Sequence, residues 1–556
     1  MHEDARDSFF SHLAERSRRC PERAFLIDRA EEGDISYSWS DSLARIETIA
    51  RSLSVLVREP RQNVAILSKN CAHWVMIDLG VIRAGHVSAP LFTTMTPDIF
   101  SYIMDFADIK VLFVGSADNW EAVQALVPQR VQVVCLPDTE AIDNTLPFDD
   151  FIALGEDQAL PSLPDKDAPC SLIFTSGTTG KPKAVMHSLH SFYGGADIIK
   201  DCYGQHEGSR FVCYFPLAHI GERLLTVMHA ILAGASITFI SSGKDFLSDI
   251  RAVRPTSMLS VPRIWEKLLQ GIITAFGNDP EALKAQLLGD NGKALAEKIK
   301  QQIGMDQVTF ALTASAPTPQ AIKDWFKLFG LILTDSYGQT EILPITWQEG
   351  EHSKPDSLGG AAPGCEFRIA DDGEVLARGP GMALGYYNDP QKTAETFVDG
   401  WVRTGDKGHM DAEGNLYLTG RVQDTFKTAK GKYVAPVPIE NRFSSSSLVE
   451  QQCLHGLGLT QPIMLCTLSE SARSIGRDAI QQQLEAHVAK INNNLEPTAR
   501  IGGVIISEAH WTSESGVLTH TMKVCRDRVQ QAYQREIDSM AREIARDSRG
   551  IRFVCA

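Results

Sequence analysis

Between residues 64 and 137 short apolar runs alternate with segments of helical period, and this alternation constrains the fold more than any other feature. VAILSKN (64–70) is an apolar run closed by a polar turn, and CAHWVMIDLGVIRAG (71–85) keeps helical periodicity until it stops at glycine. HVSAPL (86–91), KVLFVG (110–115) and VQVVCLP (131–137) read as further short buried strands. Strands alternating with helices predict βαβ units and mostly parallel sheets, with ligands gathering at loops beyond the carboxyl ends of the strands. From Leu224 to Ser242 there is no Asp, Glu, Lys or Arg. His229, Gly234, Ser236 and Thr238 interrupt this run, which predicts a buried helix, a turn and a strand (ASITFI, 235–240), with no transmembrane segment. From 365 onward β-type segments are separated by Asp-Gly and Glu-Gly-Asn turns. After Arg421 come further strands, a Ser444–Ser447 run read as a solvated loop, and two helical patterns.

Composition narrows the function. A net charge of −15 leaves no excess of cations to neutralise phosphates, so no nucleic acid is expected as a main partner. Eleven cysteines are scattered singly, without a CxxC pair, which argues against a disulfide framework or structural zinc and for a reducing cytoplasm. The start, MHEDARDSFF, is acidic and lacks the basic-then-apolar pattern of a signal peptide, again a cytoplasmic reading.

The most informative stretch runs from Ser171 to Val185. An apolar strand, Leu172–Phe174, leads straight into Thr175-Ser176-Gly177-Thr178-Thr179-Gly180-Lys181, followed by Pro182 and Lys183. Hydroxyls, exposed backbone N–H groups and lysines on a glycine-loosened loop suit a polyphosphate. The spacing is not that of a Walker loop, which puts four residues between its glycines and Ser or Thr after its lysine. TSGTTGKPK resembles, at every position, the phosphate-loop signature of the acyl-adenylating (AMP-binding) superfamily. That superfamily takes in acyl-CoA synthetases, peptide-synthetase adenylation domains and firefly-type luciferases. Further matches follow in family order almost to the end of the chain.

DSYGQTE (335–341) is expected to follow an apolar strand, LFGLIL (328–333). Tyr337 offers a flat face for adenine, Gly338 lets backbone approach it, and Glu341 is an oxygen ligand suited to magnesium. Standing alone, the segment also reads as a helix N-terminus with a capping acid. The resemblance implies that Asp335, Ser336, Tyr337, Gly338, Gln339 and Thr340 contact the nucleotide. It also implies that Thr178 and Glu341 serve Mg2+ and catalysis, and that Ser315, Ala316 and Pro317 of TASAPT (313–318) lie close to ATP. Asp406 follows a Thr-Gly turn and can accept hydrogen bonds from both ribose hydroxyls, while Arg421 can reach ribose or α-phosphate oxygens. FPLAHIGER (215–223) looks like the acyl-site segment of long-chain acyl-CoA synthetases, with His219 near the reacting carboxylate and Gly221 at the tunnel entrance. In GVLTHTMKV (516–524), Lys523 occupies the family's catalytic position, where a cation offsets the repulsion between carboxylate and α-phosphate.

The resemblance implies an α/β protein: a large N-terminal domain (1–421) with mostly parallel sheets flanked by helices plus a β-subdomain, and a small mobile α+β domain (422–556). Rotation is expected about Gln423, where relatives commonly carry Asp or Lys, so a family-typical salt contact is lost there. KTAKGKYVAP (427–436) would swing in for thioester formation, with Gly431 letting a pantetheine arm pass. His520 departs from a common proline. The implied activity is a two-step ligase that uses ATP, Mg2+ and coenzyme A to activate a carboxylic acid, a fatty acid above all. Alternatives are an acyl-AMP ligase that loads a carrier-protein pantetheine and a luciferase-like oxygenase. Val529, Tyr533, Ile537, Met540 and Ile544 form one apolar helix face, expected to pack on its own domain, with a homodimer contact as the alternative.

Overall fold

Each predicted strand of the alternating region forms, and the largest sheet is built from them. In a computed structural model the strands Asn63–Leu67, Val87–Leu91, Val111–Val114 and Gln132–Cys135 lie parallel in one sheet, with Pro169–Thr175 parallel to Val87–Leu91. The structure describes the chain except residues 1–8, 31–32, 138, 140–144, 176–180, 241–245, 315, 317, 349, 351–353, 471, 513–514, 520–522, 548–550 and 556. The chain divides into two compact units: Met1–Thr318, Ile322–Arg368 and Leu376–Arg403 in the first, Pro319–Ala321, Ile369–Val375 and Thr404–Ala556 in the second.

Burial on both sheet faces explains why the first-unit strands read as continuous apolar runs instead of alternating. Val64, Ala65, Ile66 and Leu67 are all fully buried. Helix Ala72–Arg83 is buried at every position, and it packs against helix Trp39–Leu56, whose start is fixed by a capping box between Ser38 and Asp41. At their crossing Gly80 is obligatory, because a Cβ there would stand 2.4 Å from Ile49 Cγ2. The uncharged run resolves into helix His229–Ala233, a left-handed Gly234 and strand Ser236–Phe239, preceded by a π-helical turn at Arg223–Met228. Among the described residues no helix is long and apolar enough to cross a membrane.

A three-stranded parallel sheet, Ser257–Ser260, Phe310–Thr313 and Leu333–Asp335, corrects one expectation. LFGLIL is not a strand. Helix Gln320–Leu328 runs into it, Gly330 takes φ +78°, and Leu331 N–H donates back to Phe326 O, a helix C-cap. The apolarity of Phe329 and Leu331 comes from the hydrophobic contact that accompanies such caps; both are buried with Phe326.

In the second unit strands Val449–His455, Ile463–Leu468, Gly503–Ser507 and Arg552–Cys555 form one sheet between two helical layers. Met464, Cys466, Val504 and Ile506 face helix Arg477–Asn492, while Ile463, Leu465 and Ile505 join the core of helix Gln534–Arg546, the two-residue period of a strand covered twice. Val529, Tyr533, Ile537, Met540 and Ile544 all belong to that second core. Their stripe spans two helices, Arg526–Ala532 and Gln534–Arg546, that meet at Tyr533. The stripe therefore packs on its own unit. The serine run is a turn whose Ser444 and Ser445 hydroxyls donate to Asn441 O and Arg442 O.

Candidate active site

Strands Pro169–Thr175 and Lys183–Ser188 pair antiparallel with Thr175 opposite Lys183, so the glycine-threonine segment closes a hairpin. Ser176, Gly177, Thr178, Thr179 and Gly180 lie outside the described residues, so the structure speaks for the hairpin's base. There Lys181 Nζ sits 5.0 Å from the Tyr102 ring and Lys183 Nζ 5.5 Å from the Tyr386 ring. Burial lowers the Lys183 pKa, Lys392 adds to this, and Glu341 opposes it. The hairpin is rooted in the core: Ser171 Oγ accepts from Arg223 Nη1 at 2.6 Å and donates to Ser88 O.

The parallel register places Thr313 beside Asp335, so TASAPT and DSYGQTE leave the sheet at neighbouring carboxyl ends, as expected of a ligand site in such a fold. Thr313 and Thr318 hydroxyls close the first segment at 2.6 Å; Ala316 is exposed, while Ser315 and Pro317 fall outside the described residues. Asp335 is buried in an ion pair with Lys323; burial raises its pKa and Lys323 opposes this. Ser336 Oγ donates to Thr346 O, and Tyr337 N–H to Thr346 Oγ1. Tyr337 is largely buried, and its hydroxyl accepts from Gln339 Nε2. Glu341 does not cap a helix. Gln339 and Ile342 exchange backbone hydrogen bonds across a tight turn, and Gly338 has no room for a Cβ, which would stand 2.3 Å from Leu343 Cδ1.

Two side chains that sequence reasoning missed hold this turn. Tyr386 donates its phenol to Glu341 Oε1 at 2.6 Å, and His187 Nε2 contacts Thr340 O at 2.8 Å. One sits on the arm leaving the hairpin and the other on the strand paired with it: His187 lies on strand Lys183–Ser188, four residues on from Lys183 and on the same face, and Tyr386 of strand Gly385–Tyr386 pairs with Val185. His187 is fully buried, with Nδ1 3.0 Å from Ser191 Oγ. Burial pushes its pKa down to about 4, so the ring is neutral and Nε2 carries the proton given to Thr340 O. His187 was visible as a polar residue on the Lys183 face; Tyr386, 45 positions beyond Glu341, carried no local signal.

The segment 215–223 abuts the same hairpin. Ala218 shares a buried cluster with Phe174 and Ala184, and Leu217 N–H donates to Asn70 Oδ1. His219 caps the short helix Ile220–Glu222, its Nδ1 accepting from Gly221 N–H at 3.1 Å. A Cβ on Gly221 would stand 3.0 Å from His219 Nδ1, so this glycine makes room for the ring. Glu222 beside it is fully buried, accepts from Tyr214 N–H, and has its pKa pushed by burial up to about 8. A carboxyl that keeps its proton in the folded state but loses it near 4.5 when unfolded contributes stability that is lost as pH rises toward 8. His187 and His229, both held near 4 by burial, act on the acid side and are silent above about 6.5. The urea midpoint of the native protein is therefore expected to fall between pH 6.5 and 8, and Glu222→Gln to flatten that fall. An unchanged slope in the variant would refute the assignment.

In the second unit three charged candidates come together. Asp406, largely buried, pairs across a β-hairpin with Arg421, whose Nε lies 3.3 Å from Asp406 Oδ1. Gly405 N–H is held by Glu374 Oε1 at 2.8 Å and Asp406 N–H by Thr404 Oγ1. Lys523 closes a loop in which Thr519 N–H donates to Lys523 O and Lys523 N–H to Thr519 Oγ1; His520 lies outside the described residues. Surrounding protein lowers the Lys523 pKa, Arg421 adds to this, and Asp406 opposes it, although the residue as a whole keeps an exposed surface. Arg421 thus contacts the carboxylate directly, and Lys523 interacts electrostatically with both. Gly431 takes φ +75° in a turn closed by Thr428 N–H to Lys432 O, a conformation that itself calls for glycine.

The AMP-binding enzyme family matches residues 13–387, and the AMP-binding enzyme C-terminal domain matches 423–544. A long-chain-fatty-acid–CoA ligase of Mycobacterium bovis is 27% identical, the match covering 90% of this chain and 91% of that protein. Another from Macaca fascicularis is 28% identical over 92% of this chain and 81% of its own length. The adenylation domain of the carboxylic acid reductase from Segniliparus rugosus, solved with AMP and a co-purified carboxylic acid, superimposes with a TM-score of 0.79 at 20% identity. That match covers 97% of this chain and 94% of the solved one, and it establishes the fold.

Proposed function

Because the chain belongs to the AMP-binding enzyme family, we propose that it is an acyl-CoA synthetase, activating a medium- or long-chain fatty acid with ATP and passing the acyl group to coenzyme A. In the first step a carboxylate oxygen attacks the α-phosphorus of ATP, the α–β bridging bond breaks, and pyrophosphate leaves with its electrons. In the second, the coenzyme A thiolate attacks the carbonyl of the acyl-adenylate and AMP departs. Neither step needs a protein nucleophile, so catalysis rests on positioning and charge stabilisation.

The observation that carries this reading is the clamp on Glu341, held by Tyr386 from the strand that pairs with the arm of the Thr175–Lys183 hairpin. Thr175 through Lys183 would hold the β- and γ-phosphates. One oxygen of Glu341 takes the Tyr386 phenol; the donor set is hard oxygen, which suits Mg2+, with Thr178 as the second candidate ligand. Magnesium there would neutralise phosphate charge. Asp406 would bind the ribose hydroxyls, Arg421 the ribose or α-phosphate, and Lys523 the charge that develops at the α-phosphate. His219 would face the acid with Nε2. The fatty-acid class rests on the named activity of the two ligases above, and a small domain from about residue 422, turning at Gln423, would serve the second step with the Gly431 loop.

The test is pyrophosphate release by the full chain with Mg-ATP across acids of varied length and aromaticity, with and without coenzyme A. Release with fatty acids and a thioester product only when coenzyme A is present are the expected results. No AMP or acyl-AMP from any acid would end this reading.

A further inference from the structure

Gln423 is neutral, but its neighbour is not. Asp424 Oδ2 accepts from Arg526 Nε at 3.0 Å. The rest of the same guanidinium takes both oxygens of Glu440, Nη1 to Oε1 at 2.7 Å and Nη2 to Oε2 at 2.5 Å, and Nη1 also reaches Leu454 O at 3.4 Å. Glu440 is largely buried and accepts a further bond from Leu454 N–H at 2.6 Å, so it is fixed from the sheet as well. Each partner stands at a separate functional junction. Asp424 follows the expected pivot. Glu440 lies on helix Val437–Phe443, directly after the 427–436 loop, and Arg526 begins the helix three residues after Lys523. A cavity of about 130 Å³ lined by Gln423, Asp424, Cys453, Leu465, Arg526 and Val529 adjoins the cluster.

We propose that Arg526 is a positioning residue: its fork binds the outgoing side of the pivot, the thioester loop's helix and the Lys523 loop into one body, so that rotation is confined to Gln423. This rests on the two-step ligase reading above. The salt contact that the neutral Gln423 cannot make is supplied one residue later. A lysine at 526 could not do the same, because a point charge cannot hold two carboxylates in a fixed fork geometry. The Asp424 arm is about a quarter exposed and adds little to stability, so its loss separates positioning from folding.

Asp424→Asn tests this in the full chain, with Asp424→Glu as the conservative rescue. Hydrogen exchange of peptides spanning 422–428 and 519–530 is expected to quicken about fivefold in Asp424→Asn at an unchanged thermal midpoint, whether or not the protein is turning over. The ratio of the thioester rate to the pyrophosphate-exchange rate should shift by about fivefold or more, and Asp424→Glu should restore it. Unchanged exchange, or both half-reactions falling by one common factor, overturns the proposal. Quickened exchange in a protein whose wild type performs neither half-reaction would uphold the clamp and overturn both its positioning role and the ligase reading.

Discussion

Lys523→Ala is expected to lower adenylate formation by about a hundredfold or more, while thioester formation from supplied acyl-adenylate stays within about threefold of wild type. Removing one preorganised charge-stabilising group typically costs ~10²–10³ in rate, the range expected of a lone ammonium serving the developing charge. The fold does not depend on this side chain: the loop is closed by the Lys523 backbone and the Thr519 hydroxyl, both kept by alanine. What the substitution removes is one of two cations facing Asp406, leaving Arg421 as its partner. Pyrophosphate exchange reads the first step and thioester formation from acyl-adenylate reads the second. Equal loss in both would mean that Lys523 acts on something common to them, such as binding of the adenosine, and would contradict its assigned role.

The strands of the parallel sheet were legible because burial on two faces writes itself as short apolar runs between turn residues, as in Val64–Leu67 and Val111–Val114. The same signal misled at LFGLIL, where apolar residues bury a helix C-cap; a short apolar run does not distinguish the two, and only the left-handed Gly330 does. The neighbourhood of TASAPT and DSYGQTE was readable only in part. That each follows a strand end is local information, but that their strands are adjacent and in register is not. Gly338 and Gly221 were read for the ligand side alone; the need for glycine that comes from Leu343 and His219 packing against them was not readable. Tyr386 and Asp424 were beyond sequence reasoning for one reason: each acts on a partner more than forty positions away, Glu341 and Arg526, and no period links them.

The largest loss of stability is expected from Asp78→Ala, about 3–5 kcal/mol in urea unfolding, because it leaves a guanidinium buried without its counter-ion. Arg223 is fully buried, with Nη2 at 2.7 and 2.9 Å from the two Asp78 oxygens. Ser88 Oγ donates to Asp78 Oδ1 at 2.5 Å, and Arg223 Nε already lacks a partner. Without Asp78 the cation would retain only Ser171 Oγ and the rings of Phe192 and Trp74, at 5.0 and 5.9 Å. The pair exists because four elements meet there: helix Ala72–Arg83, strand Val87–Leu91, strand Pro169–Thr175, and the π-helical turn Arg223–Met228. An apolar core would fill that space but would not hold the Ser88 and Ser171 hydroxyls, which bond to Asp78 and Arg223. Asp78→Ala combined with Arg223→Met is therefore expected to unfold at a higher urea concentration than Asp78→Ala alone, since the methionine fills the aromatic niche with no charge to desolvate. The double variant should nevertheless bind Mg-ATP more weakly than wild type, because Ser171 at the root of the hairpin has lost its Arg223 bond and keeps Ser88 O alone. A double variant no more stable than Asp78→Ala would show that unpaired charge is not the source of the loss, and unaltered nucleotide affinity would separate this core pair from the proposed phosphate site.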